Sequence, residues 1–400
     1  MGKKKLNYLL FIGLVCVAVN LRAPITAVGP LVPFMKSDLP FSNGVFGLLT
    51  TIPLIMFAVF SPFVRKISDA LGAGKTLLSS IAVIAFGIAL RSYAGAAGLF
   101  LGTVLLGAGV AIGNVLIPGI IKSRFPERVG LGTSAFTLSM TSFAAVSSAV
   151  SYPLSTLPGM GWRNALAVWI VLAALGFIIW WPHRALSIRQ GLPPIQTGAQ
   201  FGAATAEEPL RSVFRSPMAW WLTVLMGAQS FLFYFFAAWL PSIALDKGIE
   251  PTAAGYIAFI FQLSTIPAAF FIPTLAAKRK DQRGMITLVV VLYLCALSAL
   301  FLSNSVLWMT IAAMFYGFAT GVCFNLCILL ISLKTRSAVR ATSLSGMVQS
   351  IGYGLGAVGP LLGGWLFDRT DGWNAAFICV AVLIVTILFS GRQAGQDKYI

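Results

Sequence analysis

The chain has 400 residues, of which 58% are hydrophobic and only 10% are charged. Soluble domains contain about 45 to 50% apolar and about 25% charged residues, so this composition excludes a soluble protein and indicates one that lies in a bilayer. The longest stretch without a spanning pattern, residues 182–216, is shorter than an independently folding domain needs to be. An appended cytosolic enzyme is therefore excluded.

Hydropathy predicts an all-α membrane protein with twelve transmembrane helices, because each crossing needs roughly 20 apolar residues. In chain order, these predicted spans 1 to 12 cover residues 6–35, 43–64, 76–93, 97–121, 130–152, 161–181, 217–243, 252–277, 285–303, 306–333, 341–366 and 373–391.

The net charge of +17 would suit a nucleic-acid partner, but the positions of the basic residues explain it differently. Of the 28 Lys and Arg, 22 lie in termini and connections on the same side of the membrane as the amino terminus. Only three (Lys36, Lys247 and Arg369) lie in connections on the opposite side of the membrane. This asymmetry follows the positive-inside rule. It predicts a multi-pass protein of the plasma (inner) membrane with both termini cytoplasmic. We expect a monomer surrounded by membrane lipid, with no nucleic-acid partner.

The five cysteines all lie inside predicted spans, and the single histidine, His183, lies at the end of span 6. An odd number of cysteines with no histidine nearby favours neither a disulfide framework nor a metal site. We therefore expect no metal, no cofactor and no catalytic residue.

The chain repeats itself at an offset of 211 residues. Matching pairs include Pro30 and Pro241, Pro62 and Pro273, Asn114 and Asn325, Ser134 and Ser345, and Trp162 and Trp373. The repeat predicts six-helix bundles at 1–181 and 217–400, joined by a cytoplasmic linker at 182–216. Six helices per half keep both halves in the same orientation, so a pseudo-twofold axis along the membrane normal should relate them.

Three segments combine polar residues, glycines and prolines inside predicted spans. They are Asn20-Leu-Arg22-Ala-Pro24 with Gly29-Pro30 in span 1, Gly113-Asn114 to Pro118 with Lys122-Ser-Arg124 in span 4, and Gly227-Ala-Gln229-Ser230 to Tyr234 with Trp239-Leu-Pro241 in span 7. These segments resemble the cyanate permease and nitroimidazole transporter family of the major facilitators. The resemblance implies the major facilitator fold, a secondary transporter with alternating access, and substrates such as small anions or small nitro-heterocycles. It also implies that spans 1, 4, 7 and 10 line the central cavity.

The connection between spans 2 and 3 contains Asp69-Ala-Leu-Gly72, for which the resemblance implies a gating role. The superfamily usually has Gly four places before this Asp, and here that place holds Arg65. The alternative is an ordinary turn carboxylate that helps solubility.

Arg22 lies within span 1, where burying a guanidinium costs roughly 2.5 to 3.5 kcal/mol on insertion scales. All eleven acidic residues lie in connections or at predicted span ends, so no intramembrane carboxylate is evident as its partner. A fixed cation facing a cavity is an anion site, and the planar fork of Arg suits two oxygens. Pro24 should bend the helix at this turn, because it cannot donate to the carbonyl of Asn20. It is therefore also a candidate gating residue. The alternative is an Arg that backbone carbonyls and amides satisfy.

Further polar residues near the membrane midplane are candidates for substrate contact. They are Asn20, Asn114, Gln229, Ser230, Tyr234, Gln262, Asn325 and Gln349. Ser230 and Tyr234 should share a helix face, whereas Gln229 points about 100° away from Ser230. Each amide could equally be interhelical glue worth about 0.6 kcal/mol.

Arg91 and Arg163 lie near span ends, where we expect both to snorkel to the interface. The alternative is that they form a vestibule that attracts anions. Glycines in spans 4 and 11 should permit close helix packing. Because no span contains a carboxylate in its interior, we expect no side chain to serve as a dedicated proton carrier.

The favoured function is a small-anion transporter that holds its substrate at Arg22. One alternative is an efflux carrier for small nitro-heterocycles or other aromatic compounds, stacked on an aromatic wall (Phe231, Phe233, Tyr234, Phe235 and Phe236). A non-transporting receptor on the same fold is a third possibility. An enzyme is not expected, because no nucleophile with a base is evident.

Overall fold

The computed structural model describes residues 3–41, 43–189, 211–302 and 304–400. In these ranges the chain forms seventeen α-helices, two short 3-10 helices (Gly29–Leu31 and Pro126–Arg128) and no β-strand. Before the linker the α-helices are α1 (Lys3–Asn20), α2 (Ala23–Thr26), α3 (Val32–Asp38), α4 (Asn43–Leu71), α5 (Ala73–Tyr93), α6 (Gly95–Arg124), α7 (Val129–Thr156), α8 (Gly161–Ala167) and α9 (Ile170–Arg189). After it they are α10 (Arg211–Phe214), α11 (Pro217–Asp246), α12 (Pro251–Leu263), α13 (Thr265–Ala277), α14 (Arg283–Leu302), α15 (Val306–Leu333), α16 (Ala338–Thr370) and α17 (Asn374–Ala394).

Nine of the twelve predicted spans form single helices, and spans 1, 6 and 8 are each interrupted. Span 2 is longer than predicted, because α4 continues from residue 64 to Leu71. Hydropathy detects only the apolar part of a helix, whereas the backbone hydrogen bonds continue into polar sequence until a residue stops them. In span 8 the helix breaks at Ser264, where Pro267 lacks the N–H that would bond to the carbonyl of Leu263.

Eleven helical segments in the described ranges are long and apolar enough to cross a bilayer. The remaining long helix, α16, has 33 residues, but seven of them are glycines, which lowers its hydropathy. Large apolar side chains point outward, as a lipid-facing surface requires. For example, Phe86, Ile178, Leu361 and Phe389 are each more than 60% exposed.

The chain divides into two compact units. The first comprises Met1–Arg128, Ala135–Glu207 and Ser337–Gly346, and the second comprises Val129–Ser134, Glu208–Arg336 and Met347–Ile400. The expected bundle boundaries at 181 and 217 stay a prediction.

In the first unit, helices approach closely where small residues face each other. A Cβ added at Gly87 of α5 would lie 2.7 Å from the carbonyl oxygen of Gly102 in α6, so these backbones touch. Trp180 of α9 is fully buried beside Gly13 of α1. Its indole nitrogen donates to the carbonyl of Gly74 at 3.1 Å, which ties α9 to the start of α5.

In the second unit, the glycines of α16 form the surface on which α11 packs. A Cβ at Gly352 would meet Met226, and one at Gly359 would lie 2.7 Å from the carbonyl oxygen of Phe231. The expected close packing of the span 11 glycines is therefore confirmed, and the same contacts position the polar residues of α11 described below.

Candidate functional site

The first span is broken at the turn that carries Arg22. Helix α1 ends at Asn20, α2 begins at Ala23, and Arg22 between them has φ −125° and ψ −40°. The amides of Ile25 and Thr26 donate to the carbonyl of Arg22 at 3.0 and 3.1 Å, so the new helix starts there. The bend predicted from Pro24 is confirmed. The first span therefore consists of the 18-residue helix α1 followed by the short segments α2, Gly29–Leu31 and α3, and the half-buried Arg22 lies at the first break.

Two neighbouring helices of the first unit hold this turn in place. Leu21 packs against Gly113 of α6, where an added Cβ would lie 2.5 Å from a methyl carbon of Leu21. The Thr26 hydroxyl lies 2.6 Å from the Ser147 hydroxyl and donates to the carbonyl of Ala144 at 3.1 Å, both in α7. The turn therefore has a defined position relative to α6 and α7.

Asn114 follows Gly113 directly and is buried in the middle of α6. Since Leu21 contacts Gly113, the structure brings the Arg22 turn and the Asn114 segment together in one unit. Asn20, in contrast, lies on the face that meets α9: its Nδ2 donates to the carbonyls of Cys16 at 2.7 Å and Leu172 at 3.0 Å. Asn20 therefore joins α1 to α9, and its buried Oδ1 has no hydrogen-bond partner among the described residues.

In the second unit, α11 carries three of the predicted residues. A Cβ at Gly356 would lie 3.0 Å from the Cβ of Ser230 and 3.1 Å from Cδ2 of Tyr234, so these two side chains share the face that meets α16, as predicted. The Ser230 hydroxyl donates to Oε1 of the buried Gln229 at 3.3 Å. Tyr234 is half-buried, and its ring centroid lies 5.0 Å from that of Phe233.

The other predicted polar residues of this unit occupy three different helices. Asn325 of α15 is buried, and its Nδ2 donates to the carbonyl of Gly321 at 2.7 Å, whereas its Oδ1 has no hydrogen-bond partner within the described ranges. Gln349 of α16 is also buried. Gln262 is half-buried and lies two residues before the break at Ser264.

The predicted gating residues lie where α4 meets α5. Gly72 is the single residue between the two helices and has φ +80°, which favours glycine. Asp69 pairs with Arg65 of its own helix at 3.5 Å. It is Arg65, the departure from the superfamily pattern, that reaches the start of α16 by donating to the Ser343 hydroxyl at 2.8 Å. The gating role of Asp69 stays a prediction.

The expectation that Arg91 snorkels is wrong. Its side chain is only 1% exposed, because α5 and α6 approach so closely at Gly87 and Gly102 that Arg91 is enclosed between helices. In the sequence, Gly87 and Gly102 were the residues that could have predicted this close approach of the two helices. Arg163, in contrast, has a side chain that is 43% exposed and pairs with Asp38.

Comparisons with known proteins agree with this architecture. The sequence profile of the Major Facilitator Superfamily matches residues 10–357. The chain is 38% identical to an uncharacterized transporter of Bacillus subtilis, YycB, over 100% of this chain and 96% of the relative. It is 34% identical to the 2-nitroimidazole transporter of Escherichia coli over 100% of this chain and 98% of that protein. It is 26% identical to the cyanate transport protein CynX of Escherichia coli over 94% and 96%.

Among solved structures, the proton:xylose symporter XylE superposes with a TM-score of 0.79 at 12% identity, covering 100% of this chain and 98% of that chain. At this identity the likeness shows the fold alone. The helical architecture and these relatives define a multi-pass membrane transporter rather than an enzyme. The chain belongs to the Major Facilitator Superfamily, in the group that includes the 2-nitroimidazole and cyanate transporters.

Proposed function

We propose that this transporter moves a small anion, of the cyanate and nitrite type or a small carboxylate, and that Arg22 binds it. The observation that carries the proposal is the break in the first span, where the half-buried Arg22 lies at the helix interruption. Broken helices form the binding sites of many secondary transporters. A fixed intramembrane cation is costly and is functional by default.

The surroundings of Arg22 support this role. Leu21 and Thr26, on either side of it, are held by α6 and α7, so the guanidinium extends from a fixed backbone. Asn114 lies on α6 next to the residue that Leu21 contacts, and we propose that its amide is a second anion contact. The relative named for cyanate, 26% identical over most of both chains, transports an anion of the proposed class.

The positions of the acidic residues bear on whether transport of the substrate is coupled to protons. In the described ranges, the acidic residues within α-helices all lie at helix ends: Asp38 is the last residue of α3, Asp69 lies in the last turn of α4, Asp246 is the last residue of α11, and Asp368 lies in the last turn of α16. We propose that no side chain serves as a dedicated proton carrier. Transport then proceeds under alternating access in the plasma membrane by anion exchange, by facilitated diffusion, or with a proton that enters on the substrate itself.

Counterflow in proteoliposomes tests this function. Vesicles loaded with cyanate, nitrite, nitrate or formate should accumulate the same labelled anion in the wild type. Arg22→Ala should abolish the exchange, and Arg22→Lys should retain part of it, because the charge remains and the planar fork is lost. Arg163→Ala, which removes an exposed arginine of the same unit, is the matched control and should transport normally. Normal exchange by a folded Arg22→Ala protein would contradict the proposal.

A second candidate is transport of small nitro-heterocycles, which the 34% identical 2-nitroimidazole transporter favours. The second unit contains a connected set of aromatic rings, in which the Phe236 and Tyr316 centroids lie 3.8 Å apart and the Tyr234 and Tyr353 centroids 6.5 Å apart. In this case 2-nitroimidazole should exchange in the same vesicles. Tyr234→Ala, rather than Arg22→Ala, should abolish that exchange.

A further inference from the structure

Arg91 is a second arginine inside the spanning helices, and it is more completely enclosed than Arg22. Its side chain is 1% exposed, although α5 ends only two residues later at Tyr93. An arginine so near a helix end can ordinarily extend its charged end to water. Here the fold directs it inward instead.

The contact between α5 and α6 explains this direction. A Cβ added at Gly102 of α6 would lie 2.7 Å from the Cβ of Arg91, so the arginine side chain begins directly over this glycine. Gly87, one turn earlier in α5, touches the carbonyl of Gly102. The two glycines bring the backbones together and enclose the arginine in the interior of the first unit.

The enclosed guanidinium has unsatisfied donors in the part of the chain that the structure describes. Its Nε and Nη2 atoms are buried and have no hydrogen-bond partner within the described ranges. Arg91 has no carboxylate within ion-pair distance among the described residues.

We propose that Arg91 binds a small monovalent anion inside the first unit, at a site separate from Arg22. Arg stays protonated in proteins, and a buried charge requires a partner of opposite sign or a shift to the neutral form. None of the ion pairs Arg65–Asp69, Arg163–Asp38 and Arg283–Asp281 supplies Arg91 with a carboxylate from the described residues, and a bound anion supplies that charge instead. The free donors of a planar fork suit a halide, or the two oxygens of nitrite or formate. The anion is either resident chloride or a second copy of a transported small anion.

Thermal unfolding of the purified protein in detergent tests this site, and the Arg22→Met variant isolates it. Gluconate serves as the reference anion and is replaced stepwise by chloride, nitrite or formate at constant ionic strength. A ligand that binds only the folded protein raises the unfolding midpoint by mass action. The midpoint of Arg22→Met should rise by about 2 to 4 °C at tenfold excess over the dissociation constant.

The double variant Arg22→Met/Arg91→Met should lose this rise, whereas Arg22→Met/Arg163→Met, which removes an exposed arginine, should keep it. If Arg91→Met does not fold, Arg91→Lys in the same background should need about tenfold more anion, because it keeps the charge and loses the fork. Stabilisation by chloride identifies a resident ion, and stabilisation by nitrite or formate alone identifies the transported class.

The proposal is overturned if Arg22→Met does not respond to any of the three anions, or if the titration curve is the same with and without Arg91. Because Arg22 is absent from every variant, these outcomes do not depend on whether Arg22 binds the substrate.

Discussion

Trp162 donates its indole N–H to Oδ2 of Asp38 at 2.8 Å. The same oxygen accepts a hydrogen bond from Nη1 of Arg163 at 2.9 Å, and the Arg163 guanidinium carbon lies 4.3 Å from the Trp162 ring centroid. One carboxylate thus joins the end of α3 to the start of α8. The repeat at 211 residues preserves the tryptophan as Trp373 but replaces the aspartate by Ile249. Accordingly, Nε1 of Trp373 is buried without a hydrogen-bond partner among the described residues.

Removal of this carboxylate should loosen the end of α8. We expect Asp38→Asn to lower the free energy of unfolding, and a double-mutant cycle with Arg163→Met to give a coupling of about 0.5 kcal/mol, since both side chains are more than 40% exposed. Thermal unfolding of the single and double variants in detergent measures this coupling energy. The control pair is Asp281 with Arg283, which is equally exposed but lacks the tryptophan. A cycle without coupling at Asp38 would show that the contact does not stabilise the fold.

The same group predicts a pH dependence. The indole N–H of Trp162 and then Arg163 hold the pKa of Asp38 below its ordinary value. A carboxyl group with a lowered pKa in the folded state contributes stability that is fully present above its unfolded pKa of about 3.9, and that is lost as pH falls through the folded pKa. The difference in unfolding midpoint between wild type and Asp38→Asn should therefore be constant near neutral pH and shrink below about pH 4. A difference that grows on acidification would contradict this assignment.

Gly72 should tolerate no side chain, for reasons of backbone conformation alone. An added Cβ would meet no atom within 4 Å, but φ +80° with ψ 141° lies in a region that is essentially restricted to glycine. We expect Gly72→Ala to cost about 1 to 3 kcal/mol. Gly74→Ala, in open space at the start of α5, is the matched control and should be neutral or slightly stabilising. Equal unfolding midpoints for the two variants would exclude a conformational role for Gly72.

Gly359 should be required for the packing of α11 on α16. A Cβ there would lie 2.7 Å from a backbone oxygen of Phe231, which cannot rotate away. We expect Gly359→Ala to destabilise the second unit by about 1 to 3 kcal/mol through overpacking and to slow transport. Gly255→Ala in α12 meets nothing within 4 Å and serves as the control for helix propensity. If Gly359→Ala and Gly255→Ala have the same stability and transport rate, the close contact between α11 and α16 is not required.

Thr26 should act as a positioning residue for the Arg22 turn. Its hydroxyl bonds to α7 at Ser147 and Ala144. We expect Thr26→Val to raise the KM for the transported anion by about fivefold, equivalent to one hydrogen bond of about 1 kcal/mol, with little change in maximal rate. Thr310→Val, at another half-buried threonine that bonds only within its own helix, should leave KM unchanged. A fall in maximal rate with constant KM would contradict positioning at the binding site.

Much of this protein could be determined from sequence, because a bilayer imposes one dominant constraint. Composition identified a membrane protein, hydropathy located the spans, and Pro24 marked the break beside Arg22. The all-α transporter fold and the Major Facilitator Superfamily followed from these patterns and from the resemblance in spans 1, 4 and 7. Each of these features depends on local composition or on residues close together in the chain.

The hydrogen-bond and packing partners of each polar side chain could be determined only from the tertiary structure. Asn20 and Asn114 look alike in sequence, yet Asn20 joins α1 to α9, whereas Asn114 lies beside the Arg22 turn. Arg91 and Arg163 both lie near span ends, yet one is enclosed and the other pairs with Asp38. Hydropathy depends on the residue type, whereas burial and hydrogen bonding depend on which helix face meets which neighbour. That arrangement is set by distant contacts such as the one between Gly87 and Gly102.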